Sequence, residues 1–457
     1  MRPSAHRAGI GPRDQGFEDA VGGVTIPFTV DVLNLGPLPP LRGEIRLPGS
    51  KSLSNRYLLL AALAQGTTRL SGLLESEDTE AMLGALAATG VRVVREGEEY
   101  VVTGMGGANF ASVTAALNLG NAGTAMRPLC AALCAAHGQW VLDGVERMRE
   151  RPIGDLVDGL VPLLAEGGSI ESLGNPGFPP LKIASRGLRG GRTEVAGNTS
   201  SQFLSALLMA APLSQEGIEI VVKGDLISKP YVDITLALMA RFGVRVERDG
   251  YSVFRIAPQG YVSPGSVAVE GDASSASYFL AFGAMGGPVR VLGCGTDSIQ
   301  GDSKFATVLE KMGAQVTWGP DWIETQAPAS GVLKALDIDM NDMPDAAMTL
   351  ATLGLFAQGK TIIRNIASWR VKETERVVAV RTELVKLGAV VEEGPDWIAV
   401  TPPETLVPAR IATYRDHRMA MAFSLAALGT SLEIEDPACT AKTFPDYFAA
   451  LGRLASH

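Results

Sequence analysis

Leu309-Glu310-Lys311-Met312-Gly313 reads as the end of an amphipathic helix closed by a glycine, and Ala314-Gln315-Val316 behind it as the start of a strand. The turn recurs. Ala85-Leu86-Ala87-Ala88-Thr89-Gly90 runs into Val91-Arg92-Val93-Val94, Leu238-Met239-Ala240-Arg241-Phe242-Gly243 into Val244-Arg245-Val246, and Leu384-Val385-Lys386-Leu387-Gly388 into Ala389-Val390-Val391. Gly167 and Gly452 hold weaker versions of the same place, and the successive gaps are 77, 76, 70, 75 and 64 residues. Glycine caps occur in any α/β protein, so this marker alone decides little. A second one keeps the same step. Small polar residues open Ala/Leu/Met-rich helices at Ser52, Gly123, Ser200, Ser274, Asp345 and His417, with gaps of 71, 77, 74, 71 and 72. Two independent markers with one period identify a repeat.

Further strand-like runs, such as Gly217-Ile218-Glu219-Ile220-Val221-Val222, lie between the markers. Each unit therefore holds strands and two helices. Six units in 457 residues make two domains of three units each. The polar helix starts should share one face in each domain, where helix N-termini converge with partial positive charge.

Composition narrows the function. With 46 % hydrophobic and 19 % charged residues the chain is globular, and its net charge of −9 argues against nucleic acid or an anionic membrane as partner. No apolar run is long enough to span a bilayer. Cys130 and Cys134 stand i,i+4 in a helix pattern and read as buried small hydrophobes; with Cys294 and Cys439 they give no metal-like spacing and suit a reducing, cytoplasmic compartment. Met1 to Gly23 lacks a signal-peptide core and is expected to be a flexible extension.

Against the acidic balance, cations sit in short polar segments of small residues. Gly49-Ser50-Lys51-Ser52 is not a P-loop, because Ser50 stands where that motif needs glycine. Ser52 or Ser54 is expected to cap a helix from Asn55 to Ala64, yet a cap does not explain Lys51 and Arg56 beside it. Gly120-Asn121-Ala122-Gly123-Thr124-Ala125-Met126-Arg127-Pro128 joins two glycines to an arginine at a helix start. Glycine lets backbone N–H groups approach an anion, and Lys and Arg supply countercharge. Arg151-Pro152 and Ser228-Lys229-Pro230-Tyr231 also read as a charged face and a polar turn, and Ser200-Ser201-Gln202 as an ordinary helix start. Asp345 reads as a helix N-cap or as a functional acid. On a helix, Lys372 and Arg376 would share a face around Glu373, which is either part of an ion-paired surface or a proton carrier. His417, between Asp416 and Arg418, reads equally as structural or catalytic.

Together S-K-S-x-S-N-R, L-G-N-A-G-T-A-M-R-P, S-S-Q-F-L, S-K-P-Y, G-D-A-S-S-A-S-Y, P-D-A-A-M, W-R-V-K-E-T, Y-x-D-H-R-M-A and C-T-A-K-T-F-P-D-Y-F run in the order of one family. From about Leu41 to Leu454 the chain resembles the 5-enolpyruvylshikimate-3-phosphate synthases, in their glyphosate-sensitive form. The resemblance implies an inside-out α/β barrel: two domains of three βαβαββ units with a hinge between them. One domain would be residues 50–270 and the other 24–49 plus 271–457. It implies transfer of the enolpyruvyl group of phosphoenolpyruvate to the 5-hydroxyl of shikimate 3-phosphate, by a cytoplasmic monomer without metal or other cofactor.

By the same resemblance, shikimate 3-phosphate would meet Lys51, Ser52, Arg56, Ser200, Ser201, Gln202, Ser228, Tyr231, Asp345, Ser368 and Lys372. Ser368 stands where the family often has asparagine. Phosphoenolpyruvate would meet Lys51, Gly123, Arg151, Gln202, Arg376, Arg418 and Lys442. Asp345 is the expected base toward the hydroxyl and Glu373 the proton carrier at C3, with Lys51 left between the hydroxyl and the leaving phosphate. A related transferase acting on UDP-N-acetylglucosamine uses a loop cysteine that this chain lacks. A non-catalytic anion binder on the same scaffold would be expected to lose Asp345 or Glu373.

Overall fold

The computed structural model describes residues 31–456 apart from residue 112, so the expected extension 1–23 lies outside the described residues. Among the described residues six principal sheets match the six units. Five share one topology, in which a parallel pair of strands is extended by two antiparallel ones. Thr114–Asn118 pairs in parallel with His137–Asp143, which continues through Leu181–Arg186 to Ser169–Ser172. Gly191–Ala196, Ile218–Lys223, Val253–Ile256 and Glu247–Asp249 repeat the order, as do Asp337–Asp339, Thr361–Arg364, Ile398–Thr401 and Val390–Glu393. The sixth sheet has three strands: Ala409–Ile411, Leu432–Glu435 and Val32–Leu35.

The helices that open the units lie inside and the sheets outside. Lys51–Leu63, Gly123–Cys134 and Ser201–Ala210 are buried on nearly every side, as are Ala273–Met285, Ala347–Leu353 and His417–Phe423. Apart from the polar residues near their starts, they are apolar all round, and such a helix has no face to give to water. The buried apolar side chains form two clusters. One runs from Leu53 to Val269; the other joins Leu33–Leu47 to Ala273–Leu454. The cap glycines at 90, 167, 243, 313 and 388 all have positive φ, but Gly452 is an interior residue of the helix Tyr447–Ala455. That last marker was a coincidence of composition. Among the described residues no helix is long and apolar enough to cross a membrane.

The chain passes between the lobes twice. Gly43–Arg46 completes the sheet of Val289–Leu292 before the chain leaves for the helix at Lys51, and Ser266–Ala268 completes the sheet of Thr67–Ser71 before it returns. The two crossings touch. Gly49 bridges Gly271, the Ser50 N–H donates to the Glu270 carbonyl (2.8 Å), and the Asp272 N–H to that of Pro48 (2.9 Å). A Cβ on Gly49 would overlap the carbonyl oxygen of Gly72, so this approach needs glycine.

Candidate active site

Between the lobes lies a cleft. The first turns of three buried helices supply Lys51, Ser52, Gly123, Ser201 and Gln202 to its wall, and Arg56, Arg151, Ser200, Ser228 and Tyr231 join them. From the other lobe come Asp345, Ser368, Lys372 and Glu373. Arg376, Arg418 and Lys442 stand behind this wall and reach it through their carboxylate and carbonyl partners.

Three local readings change. The first helix begins at Lys51 with Ser50 as its cap residue, so Ser52 and Ser54 are helical instead of capping. Asp345 is not an N-cap: the helix starts at Ala347, and the carboxylate turns instead to arginines. Lys372 and Arg376 share no helix, because a 3-10 turn spans Ala367–Val371, Lys372 is extended, and the next helix starts at Arg376. Their meeting at one site depends on tertiary folding, which helical spacing does not encode.

Arg376 is the centre of the acidic wall. It is 1 % exposed, and its guanidinium holds three carboxylates: Asp416 through Nε (2.8 Å), Asp345 through Nη1 (2.9 Å) and Glu373 through Nη2 (2.9 Å). Arg418 takes the other oxygen of Asp345 at 2.9 Å, and Lys372 lies 3.7 Å from that acid. Lys51 stands 3.4 Å from Asp78 and 3.9 Å from Glu373. Lys442 crosses the cleft to Asp78 (2.8 Å) and to the Asn121 carbonyl (3.1 Å). Removing one member of such a buried web leaves an unpaired charge and typically costs ~3–5 kcal/mol.

The charges set one another. Burial alone would raise the Asp345 carboxyl, but Arg418, Lys372 and Arg376 hold it far below the usual range. Glu373 is likewise driven well down against its burial by Arg376, Arg151, Lys51 and Lys442. Burial lowers Lys51 in spite of Asp78 and Glu373, and brings Arg56 down to about 10, still charged at neutral pH. Arg56 donates to Thr235 Oγ1 (2.9 Å) and to the Ser52 carbonyl (3.0 Å). His417 is fully buried 3.5 Å from Asp416, neither ring nitrogen has a hydrogen-bond partner among the described residues, and burial holds it well below its ordinary value.

Opposite the acids, Arg151 donates to both the carbonyl (3.0 Å) and the side chain (2.9 Å) of Asn121, and Arg127 to the Pro152 carbonyl (2.9 Å). Gly123 sits against both guanidiniums, with no room between. Arg127, four residues past Gly123, is the arginine of that helix-start motif, and it stands in neither expected substrate set. Asp78 carried no signal, because Ser76 to Thr79 is a capping box and an acid there reads as ordinary dipole complement. Tyr231 donates to Asp302 (3.1 Å) across the cleft, and the Ser228 N–H to Asn341 (2.9 Å).

A cationic wall facing an acidic pair suits a reaction between two anions in which protons move. The comparisons agree. Residues 37–451 match the EPSP synthase (3-phosphoshikimate 1-carboxyvinyltransferase) family. A protein named 3-phosphoshikimate 1-carboxyvinyltransferase from Shewanella sp. (strain MR-7) is 58 % identical over 427 residues, 92 % of this chain and 99 % of that protein. One of the same name from Tolumonas auensis is 56 % identical over 423 residues, covering 92 % and 98 %. The solved structure of EPSP synthase from Acinetobacter baumannii superposes with a TM-score of 0.77 at 25 % identity, covering 93 % of this chain and 98 % of that one.

Proposed function

We propose how the cleft divides its chemistry from the premise that the chain belongs to the EPSP synthase family. The reaction is 3-phosphoshikimate 1-carboxyvinyl transfer: the enolpyruvyl group of phosphoenolpyruvate moves to the 5-hydroxyl of shikimate 3-phosphate and phosphate leaves. Asp345 takes the hydroxyl proton as the oxygen attacks C2, while Glu373 delivers a proton to C3. The tetrahedral adduct then returns a proton from C3 to Glu373 and expels phosphate, and Lys51 meets that charge. Ser52, Arg56, Ser200, Ser201, Gln202, Ser228, Tyr231, Ser368 and Lys372 hold shikimate 3-phosphate. Gly123, Arg151, Gln202, Arg376, Arg418 and Lys442 hold phosphoenolpyruvate.

The observation that carries this reading is the pair of carboxylates held on one guanidinium, Asp345 and Glu373 each 2.9 Å from Arg376. Asp345 is ionised, as a base must be. Glu373 must carry a proton at its step. The cations that depress it are those that anionic substrates would neutralise, so loading the cleft raises its affinity for a proton.

Residues 50–270 and 24–49 with 271–457 act as two bodies about the crossed strands at Gly49 and Gly271. Four free cysteines, three of them buried, support the cytoplasm. Glyphosate would occupy the phosphoenolpyruvate side beside Gly123. The test is phosphate release with both substrates. Release that requires shikimate 3-phosphate is expected; no release, or acceptance of UDP-N-acetylglucosamine instead, would overturn the reading.

A further inference from the structure

Arg147 belongs to none of the residue sets above. It lies in the short helix Glu146–Arg149 on the lobe of Lys51, and about a third of its side chain is exposed. Its guanidinium crosses to the other lobe and grips backbone there. Nη2 donates to the Lys372 carbonyl (2.9 Å) and Nε to the Glu373 carbonyl (3.1 Å). Nη1 is held by Glu150 at 2.9 Å, which orients the fork.

Lys372 and Glu373 lie between the 3-10 turn Ala367–Val371 and the helix Arg376–Lys386, in neither element. A segment without its own ladder takes its conformation from whatever satisfies its carbonyls. Here the donor is on the opposite lobe, so the contact exists only while the lobes are together. The two residues it holds are the ones that present a cation and the proton carrier to the cleft. A planar fork spans two successive carbonyls, which a lysine ammonium at a single point does not.

We infer that Arg147 is a positioning residue that couples lobe closure to the placement of Lys372 and Glu373. The coupling rests on the functional reading above. It makes Arg147 control turnover through Glu373 and the hold on shikimate 3-phosphate through Lys372.

The experiment compares wild type, Arg147→Ala and Arg147→Lys in phosphate release, with melting temperature and hydrogen exchange of the free proteins. A misplacement of about 1 Å typically costs roughly 10²-fold in rate. Arg147→Ala is therefore expected to lower kcat by about 10- to 100-fold, with KM for phosphoenolpyruvate within about threefold, KM for shikimate 3-phosphate raised through Lys372, and Tm unchanged. Arg147→Lys is expected below wild type. Amides of 372–375 should exchange faster in Arg147→Ala. A kcat above half of wild type in Arg147→Ala, full kcat in Arg147→Lys, or a fall in Tm that accounts for the lost rate would each overturn the clamp. If wild type itself released no phosphate, the functional reading would fail. The exchange arm would still decide, with equal exchange in the two proteins refuting the clamp.

Discussion

Replacing Gly123 by alanine is the sharpest perturbation of the cationic wall. A Cβ there would stand 2.7 Å from Arg151 Nη2 and 2.8 Å from Arg127 Nη1. Ordinary contact is near 3.5 Å, so both guanidiniums must retreat by about 0.7 Å. Neither is free to do so cheaply. Arg151 is tied twice to Asn121 and Arg127 to the Pro152 carbonyl, and both arginines are buried. The backbone at Gly123 does not take a positive φ, so the cost is one of space alone. Overpacking typically costs ~1–3 kcal/mol, or roughly 5- to 150-fold in affinity at about 1.4 kcal/mol per decade. On the proposed division of the cleft, the loss should fall on phosphoenolpyruvate and leave shikimate 3-phosphate nearly untouched. Glyphosate, proposed to bind on the same side and longer than phosphoenolpyruvate, should lose more. The assay is steady-state phosphate release with each substrate varied in turn, then glyphosate inhibition at fixed phosphoenolpyruvate. Equal KM for phosphoenolpyruvate and equal glyphosate inhibition constants in wild type and Gly123→Ala would refute the reasoning.

Glu373→Gln should keep substrate binding and lose turnover by ~10²–10⁴-fold, the usual weight of a proton carrier. Calorimetric titration beside single-turnover kinetics checks it, and near-normal turnover would pass the role to Lys51. Asp302 gives a pH dependence: burial and Asp345 push its carboxyl up to about 6 against the Ser274 hydrogen bond. A raised acid contributes stability fully present below its unfolded value near 3.8 and lost as pH rises through about 6, to the extent of about 3 kcal/mol. Asp302→Asn should therefore gain melting temperature over wild type between pH 4 and pH 8, and a difference independent of pH would refute this.

The repeat was legible because it is written twice, in cap glycines and in helix starts, and both markers are local. The strand exchange was not, because Gly43–Arg46 pairs with Val289–Leu292 without any sequence signal of that distance. At the site, residues within motifs were readable and their partners were not. Lys51 and Arg56 announce themselves beside Ser52, whereas Asp78 meets Lys442 only across the folded cleft. The 372–376 segment was read as helix from its charges. Tertiary ion pairs of Arg376 and the grip of Arg147 override that preference.

The pairing of Val32–Leu35 with Leu432–Glu435 has a consequence for how the molecule is made. On a ribosome adding roughly 5–20 residues per second, the earlier strand waits about 20–80 s for its partner. The lobe of residues 51–270 is continuous and can finish during that interval. The other lobe holds open strand edges until translation is nearly done, and contacts this distant in sequence are slow to form. A nascent chain of this protein is therefore a half-built object with one finished lobe and one exposed sheet, and its exposure to aggregation and to chaperones falls on the strands that flank the insertion.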